Sequence, residues 1–197
     1  MYMTYGRPLE FDPDIALEAA MQLFWRKGYE STSLQDLISA MGLSKSSFYQ
    51  TFKGKHALFQ RCIKHYQQLL TTAMRTQLEQ SESAKDYIRA LFLNVANETN
   101  GLDARRGCLT MNTASEFAQT DVEIAELVSS SIESFTDIFE LAINQAKQQG
   151  EIANEKDSRS LASYLVSSMS GLKNMVKAGA DRESVKRIAN IILLAVN

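Results

Sequence analysis

Apolar residues recur at three- and four-residue intervals along most of this chain, which is the spacing of one face of a helix. The two prolines are Pro8 and Pro13, so residues 14–197 contain none. Because proline removes a backbone donor and breaks helix interiors, this long proline-free stretch permits uninterrupted helices. The pattern therefore predicts an all-α protein.

Start and stop residues divide this pattern into separate helices. Asp12 before Pro13 predicts the start of a first helix, which we expect to end near Gly28. Aspartate start signals and glycine breaks predict a long helix over about 55–78 and five further helices. We expect those five at about 84–99, 108–119, 121–149, 158–177 and 182–196.

Two short helices with a glycine between them fill the gap before the long helix. Thr32 or Ser33 is a cap for the first, Gly42 ends it, and Ser44 opens the second after about three residues of turn. This arrangement is typical of a helix-turn-helix, which we place at about 33–52. Phe48 and Phe52, four residues apart, are expected to pack inward.

Charge is distributed unevenly along the chain, although its net value is only −2. The segment from Leu37 to Leu78 holds six Lys and Arg and no acid, whereas residues 79–197 hold 12 bases and 17 acids. A segment of one sign favours a partner of the opposite sign. We therefore divide the chain into an anion-binding domain at residues 1–55 and a helical body at 56–197.

Duplex DNA is the anion that suits this pattern, since a recognition helix inserts its N-terminal end into the major groove. Lys45 and Ser46 would reach base edges, while Ser47, Tyr49 and Lys55 would hold phosphates. Arg7, on an arm that Pro8 keeps extended, belongs either to a minor-groove contact or to a disordered tail. The predicted DNA-binding residues are Arg7, Thr32, Ser33, Ser44, Lys45, Ser46, Ser47, Tyr49, Gln50 and Lys55.

Residues 10–60 also resemble a known family, the TetR/AcrR group of one-component bacterial transcriptional regulators. The resemblance is carried in order by Leu23-Phe24-Trp25-Arg26-Lys27-Gly28-Tyr29, Thr32-Ser33-Leu34, Gly42-Leu43-Ser44-Lys45-Ser46-Ser47-Phe48-Tyr49, Phe52, Lys55 and Leu58. Gly54 and His56 depart from it, at positions where the family often has a cap residue and an acid. The resemblance implies a homodimer that binds a palindromic operator, with a C-terminal domain that binds a small effector.

Apolar character alone suggests where the C-terminal domain dimerises and where it binds its effector. Two apolar helical stripes near the end of the chain predict a four-helix dimer interface. Its predicted residues are Leu161, Leu165, Leu172, Val185, Ile188 and Ile192. The predicted residues of the effector pocket are Phe92, Cys108, Met111, Phe117 and Tyr164.

Cys108 has two interpretations. The segment from Arg105 to Asn112 resembles a stretch in one branch of the family, some of whose members sense electrophiles or oxidants through a cysteine. Arg105 and Arg106 would favour the thiolate of such a sensor. A cysteine at the start of an apolar helix is otherwise a small core residue.

Several functional classes receive no support from the sequence. It has no nucleophile elbow, P-loop or metal-binding cluster, and only two histidines, so we expect neither an enzyme nor a bound metal or cofactor. No apolar run approaches the roughly 18 residues of a membrane span, and the two cysteines form no disulfide framework, so we expect a cytoplasmic protein. We predict a ligand-released repressor. The alternatives are a regulator that senses electrophiles or oxidants through Cys108 and a helical interaction module that does not bind DNA.

Overall fold

The computed structural model describes residues 11–99, 104–117 and 119–197. Within these ranges the regular structure is entirely helical, with nine α-helices, two short 3₁₀ turns and no strand. The predicted all-α class is therefore confirmed. Arg7 lies outside the described residues.

The observed helices follow the predicted ones closely. Their bounds are α1 Pro13–Lys27, α2 Leu34–Met41, α3 Lys45–Phe52, α4 Lys55–Glu79, α5 Ala84–Glu98, α6 Leu109–Phe117, α7 Val122–Gln148, α8 Ser158–Lys177 and α9 Arg182–Ile192. The 3₁₀ turns are Ala104–Arg106 and Leu193–Val196. No helix in the described ranges has the length and apolar character needed to cross a membrane.

Aspartate caps begin four of these helices, as the sequence predicts. Asp12 accepts a hydrogen bond from the Asp14 amide at 2.8 Å. Asp121, Asp157 and Asp181 accept from first-turn amides at 3.0, 2.7 and 2.9 Å. Each cap satisfies an amide that has no partner within the helix and contributes about 1 kcal/mol to stability.

The chain forms two compact units, of which the first ends at His65 and the second runs from Tyr66 to Asn197. This division falls inside α4, whereas the sequence places the domain boundary between residues 55 and 56. The early turns of α4 belong with the first unit because Phe59 and Cys62 are buried in its core.

Aromatic rings pack against one another in the core of the first unit. Phe24 at the end of α1 stacks on Tyr29, with ring centroids 5.8 Å apart, and meets the edge of Phe59 at 4.9 Å. Further along the same contact between α1 and α4, Glu18 accepts from His65 at 3.1 Å. Burial raises the pKa of the nearby Cys62 thiol, so this cysteine stays protonated.

The second unit is a bundle in which α7 packs along α8, and α5 and α6 also pack against α7. Phe92 of α5 and Phe139 of α7 meet inside it with ring centroids 6.1 Å apart. Tyr87 donates a hydrogen bond to the Met74 carbonyl at 2.9 Å, and burial raises its pKa to about 12. Helix α9 closes the bundle against α5 and α8.

The predicted dimer stripe lies mostly inside this bundle. Five of its six residues are buried within their own unit, namely Leu161, Leu165, Leu172, Val185 and Ile192, while Ile188 is half-buried. Helix α8 packs against α5, α7 and α9 of the same protomer. The stripe therefore builds the protomer's own core, and the exposed apolar residues of α8 and α9 are others.

Leu165 and its neighbour Tyr164 distinguish the buried face of α8 from its exposed face. Leu165 is 0% exposed and Tyr164 is 43% exposed. Leu165→Ala leaves a cavity, so we expect it to lower the free energy of unfolding by about 2–5 kcal/mol at any protein concentration. For Tyr164→Ala, we expect a change in the free energy of unfolding whose size depends on protein concentration. Urea denaturation at two concentrations measures both, and a concentration-dependent loss for Leu165→Ala would place it at an interface.

Candidate nucleic-acid interface

The turn between α2 and α3 is set by Gly42. Its φ of 65° and ψ of 31° lie in the left-handed region, which glycine enters at no steric cost. The Gly42 amide donates to the Ser39 carbonyl at 3.3 Å, and the Leu43 amide donates to Ile38 at 3.0 Å. These bonds satisfy the last carbonyls of α2 and turn the chain sharply into α3.

Helix α2 begins with a reciprocal pair of hydrogen bonds between Ser33 and Asp36. The Asp36 amide donates to the Ser33 hydroxyl at 3.1 Å, and the Ser33 amide donates to the Asp36 carboxylate at 3.0 Å. These bonds, together with Lys27 at 3.2 Å, lower the pKa of Asp36. Ser33 is therefore exposed and also caps the start of α2.

Helix α3 is held by a cap at its start and by two buried phenylalanines. The Ser47 amide donates to the Ser44 hydroxyl at 3.1 Å. Phe48 and Phe52 are 0% and 1% exposed, which fixes the rotation of the helix about its axis. The opposite face is exposed and carries Ser44, Lys45, Ser46, Tyr49 and Gln50, with Ser47 half-buried beside them.

Tyr49 and Lys55 are each positioned by an aromatic ring. Tyr49 is 47% exposed and meets the edge of Phe48 with centroids 5.4 Å apart. The Lys55 ammonium lies 4.1 Å from the centroid of the Tyr29 ring. Such a cation–π contact holds the amine at the start of α4 while leaving its charge in place.

Gly54 precedes α4 and has no side chain to cap it. The backbone amides at the start of that helix therefore receive no cap from this position. Amides at a helix start, with the positive end of the helix dipole, are suited to phosphate oxygens. Two features at the start of α4, its amides and the Lys55 ammonium, thus suit the same anion.

Arg61 supports α3 in a way that sequence reasoning missed. Its guanidinium donates to the Thr51 carbonyl at 3.3 Å and lies over the Phe52 ring at 4.7 Å. The side chain therefore fastens the end of α3 to α4. The sequence indicates only that Arg61 is one of six bases, because the contact joins residues ten positions apart on different helices.

Thr32 does not belong to the exposed surface. It is 0% exposed, and its hydroxyl donates to the Gly28 carbonyl at 2.6 Å. Its amide donates to the Tyr29 carbonyl at 3.1 Å. Both polar groups are used to close the turn after α1, which corrects the prediction that Thr32 contacts DNA.

Comparison with known proteins identifies the family. Residues 16–62 match the model described as bacterial regulatory proteins of the tetR family. Residues 84–192 match the model of the tetracyclin repressor-like C-terminal domain, which covers more than half of the chain. The chain belongs to the TetR family.

Relatives in the TetR family align over nearly the whole chain. The uncharacterized HTH-type transcriptional regulator YezE of Bacillus subtilis (strain 168) is 33% identical over 189 residues, covering 95% of this chain and 97% of the relative. The HTH-type transcriptional repressor ComR of Escherichia coli (strain K12) is 30% identical over 189 residues, covering 95% of this chain and 90% of the relative. A cysteine-substituted form of the TetR-family regulator CifR, solved with 26-bp operator DNA, is 26% identical with a TM-score of 0.81 and covers 98% of this chain and 100% of that one.

The predicted effector residues of this TetR-family protein are only partly gathered in the bundle. Phe92 and Phe117 are buried, Cys108 and Met111 are half-buried, and Tyr164 is exposed on α8. Tyr164 therefore does not line the interior. Cys108 accepts a long hydrogen bond from the Tyr66 hydroxyl at 3.7 Å.

The corrected role of Thr32 leads to a test. Thr32→Val removes a buried hydrogen bond donor, so we expect the free energy of unfolding to fall by about 1–3 kcal/mol while the folded protein keeps its affinity for DNA. Urea denaturation and fluorescence anisotropy with duplex DNA measure the two effects. Thr51→Val, at a half-buried position in the same unit, is the control. A loss of affinity with unchanged stability would restore Thr32 to the DNA contacts.

Proposed function

We propose that this TetR-family protein is a transcriptional repressor that reads a palindromic DNA operator with α3. The observation that carries the proposal is the exposed face of α3, where Lys45, Ser46, Tyr49 and Gln50 stand together. No acid occurs anywhere between Leu37 and Leu78 to oppose a phosphate backbone. A related regulator has been solved with its operator, which supports the same kind of partner here.

Position along α3 separates base-reading from backbone-holding residues. Lys45 and Ser46 are in the first turn, the part of a recognition helix that enters the major groove. Lysine donates to guanine O6 and N7, and serine accommodates several bases. Ser47, Tyr49 and Lys55, together with the positive end of the α4 dipole, are suited to phosphate oxygens.

An exposed apolar face supports the homodimer that a palindromic operator requires. On α8, Tyr164, Gly171 and Met175 recur at helical spacing, and on α9 and the turn after it Ile191 and Leu194 are 65% and 64% exposed. Helices α8 and α9 pack against each other, so the two sets can form one patch. Exposed apolar patches of this kind favour protein contacts.

Gly171 adds an independent argument for a second copy at this patch. It lies inside α8, where glycine costs about 1 kcal/mol relative to alanine. A Cβ at this position would have nothing within 4 Å, so packing within the protomer does not require a glycine. Close approach of α8 from a second copy of the chain would explain why residue 171 is a glycine.

The second unit is proposed to bind the effector that releases DNA. A ligand releases the operator only if it binds the form that cannot hold DNA more tightly than the form that can. We propose a regulatory rather than catalytic protein of the cytoplasm, and a cysteine-based response through Cys108 stays an alternative prediction. Among the described residues, no group of three His, Cys, Asp or Glu side chains could hold a metal ion.

Lysine substitutions test the assignment of base and phosphate contacts. We expect Lys45→Ala to weaken operator binding by about 1–3 kcal/mol more than it weakens binding to a scrambled duplex, because it removes a base contact. Lys55→Ala should weaken both duplexes alike and lower the salt slope of log Kd by about one. Fluorescence anisotropy across a salt series measures both effects.

The control for these lysines is Lys186→Ala, an exposed lysine on α9 in the other unit. We expect it to change neither affinity nor salt slope. Equal losses for Lys45→Ala on the two duplexes would contradict a base-reading role for α3.

A charge at the apolar face of α9 tests the dimer. Ile191→Glu would bury an unpaired carboxylate between two protomers, so we expect sedimentation at micromolar concentration to show monomers. Ile15→Glu is the matched control, because Ile15 is 70% exposed on α1. An Ile191→Glu protein that stays dimeric would place the interface on another surface.

A further inference from the structure

The first turn of α6 contains a buried hydroxyl that has no partner. Thr110 is 0% exposed, and its Oγ1 forms no hydrogen bond with any described residue. Buried polar groups are nearly always hydrogen-bonded, since leaving one unpaired is costly. Thr113, one turn further along α6, shows the usual solution, because its hydroxyl donates to the Leu109 carbonyl at 2.9 Å.

Two backbone amides of the same turn also find no backbone acceptor among the described residues. The first amide of α6 to bond along the helix is that of Asn112, which donates to the Cys108 carbonyl at 2.9 Å. The Thr110 and Met111 amides precede it and donate to no carbonyl in the described part of the chain. Since Thr110 supplies both a free amide and the unpaired hydroxyl, these donors lie side by side.

Tyr66 adds a further donor beside this turn. The Leu109 amide donates to its phenol oxygen, while its hydroxyl donates to Cys108 Sγ at 3.7 Å. Burial raises the pKa of Tyr66 well above its ordinary value, so the phenol keeps its proton. Because sulfur is a weak acceptor, an oxygen acceptor would be a better partner for this hydroxyl.

Several positively charged residues lie near this turn in space or in sequence. Lys177 reaches Asn112 with its ammonium 2.6 Å from Oδ1, and its aliphatic stem lies beside Gly107. The Ala104–Arg106 turn, which ends in two arginines, immediately precedes α6. Glu98 is paired with Lys173 at 2.9 Å. The positive end of the α6 dipole adds to this field, which favours an anion.

We propose that the first turn of α6 anchors the carboxylate of an otherwise apolar effector. The carboxylate would accept from the Thr110 hydroxyl and the free amides, and the apolar body would lie among the buried side chains near Leu109 and Phe117. Thr110 is fully enclosed, so binding requires α6 to repack locally. This inference rests on the proposed function, because it names the ligand class of the effector-binding unit.

Isothermal calorimetry with benzoate and hexanoate, and with their amides benzamide and hexanamide, tests the ligand class. We expect at least one acid to bind the wild-type dimer, at least about tenfold more tightly than its amide, because hydrogen bonds to a charged acceptor are stronger. Thr110→Val should weaken that acid by about tenfold or more. Thr113→Val removes a hydroxyl of the same helix that already has a partner, so this variant should bind the acid as tightly as wild type does.

Several outcomes would overturn the proposal. Failure of both acids to bind wild type, or equal binding to Thr110→Val, would show that the hydroxyl is a structural defect or is paired with water. If Thr110→Val does not fold, Thr110→Ala replaces it with the same expectation. DNA binding by the ligand-free wild-type protein is measured in parallel. If the wild-type protein does not bind DNA, the repressor function is contradicted. If it binds DNA but neither acid, only this inference is contradicted.

Discussion

The orientation of α3 depends on two phenylalanines. An isolated helix of eight residues is not stable in water, so α3 acquires its structure from packing. Phe48 and Phe52 are almost completely buried, and Arg61 fastens the end of the helix from α4. With that face fixed inward, Lys45 and Tyr49 can only face outward. The proposed DNA-binding surface is thus a consequence of the core beneath it.

Most of the fold could be predicted from local sequence signals. The aspartate caps at Asp12, Asp121, Asp157 and Asp181 are all observed, and Gly42 ends α2 in the left-handed conformation. These signals act over three or four residues, so they are visible in the sequence without tertiary information. The helix-turn-helix was predictable for the same reason.

Contacts between helices could not be predicted in the same way. Periodicity shows that α8 has an apolar stripe, but it does not show whether the stripe meets the protomer or a second copy. The pattern therefore predicts an interface at Leu161, Leu165 and Leu172, whereas the structure buries these residues in the core of the protomer. Thr32 was misplaced because its bond to Gly28 closes a turn that residue type alone does not reveal.

Chemical interference on a selected DNA site tests the central claim most directly. Duplexes selected by the purified protein from a random pool would be methylated at guanine N7, which lies in the major groove. We predict a palindromic site in which methylation of both half-sites blocks binding, with the half-sites separated by about one helical turn or a multiple of it. Selection of no common sequence, or a site insensitive to N7 methylation, would contradict recognition by α3.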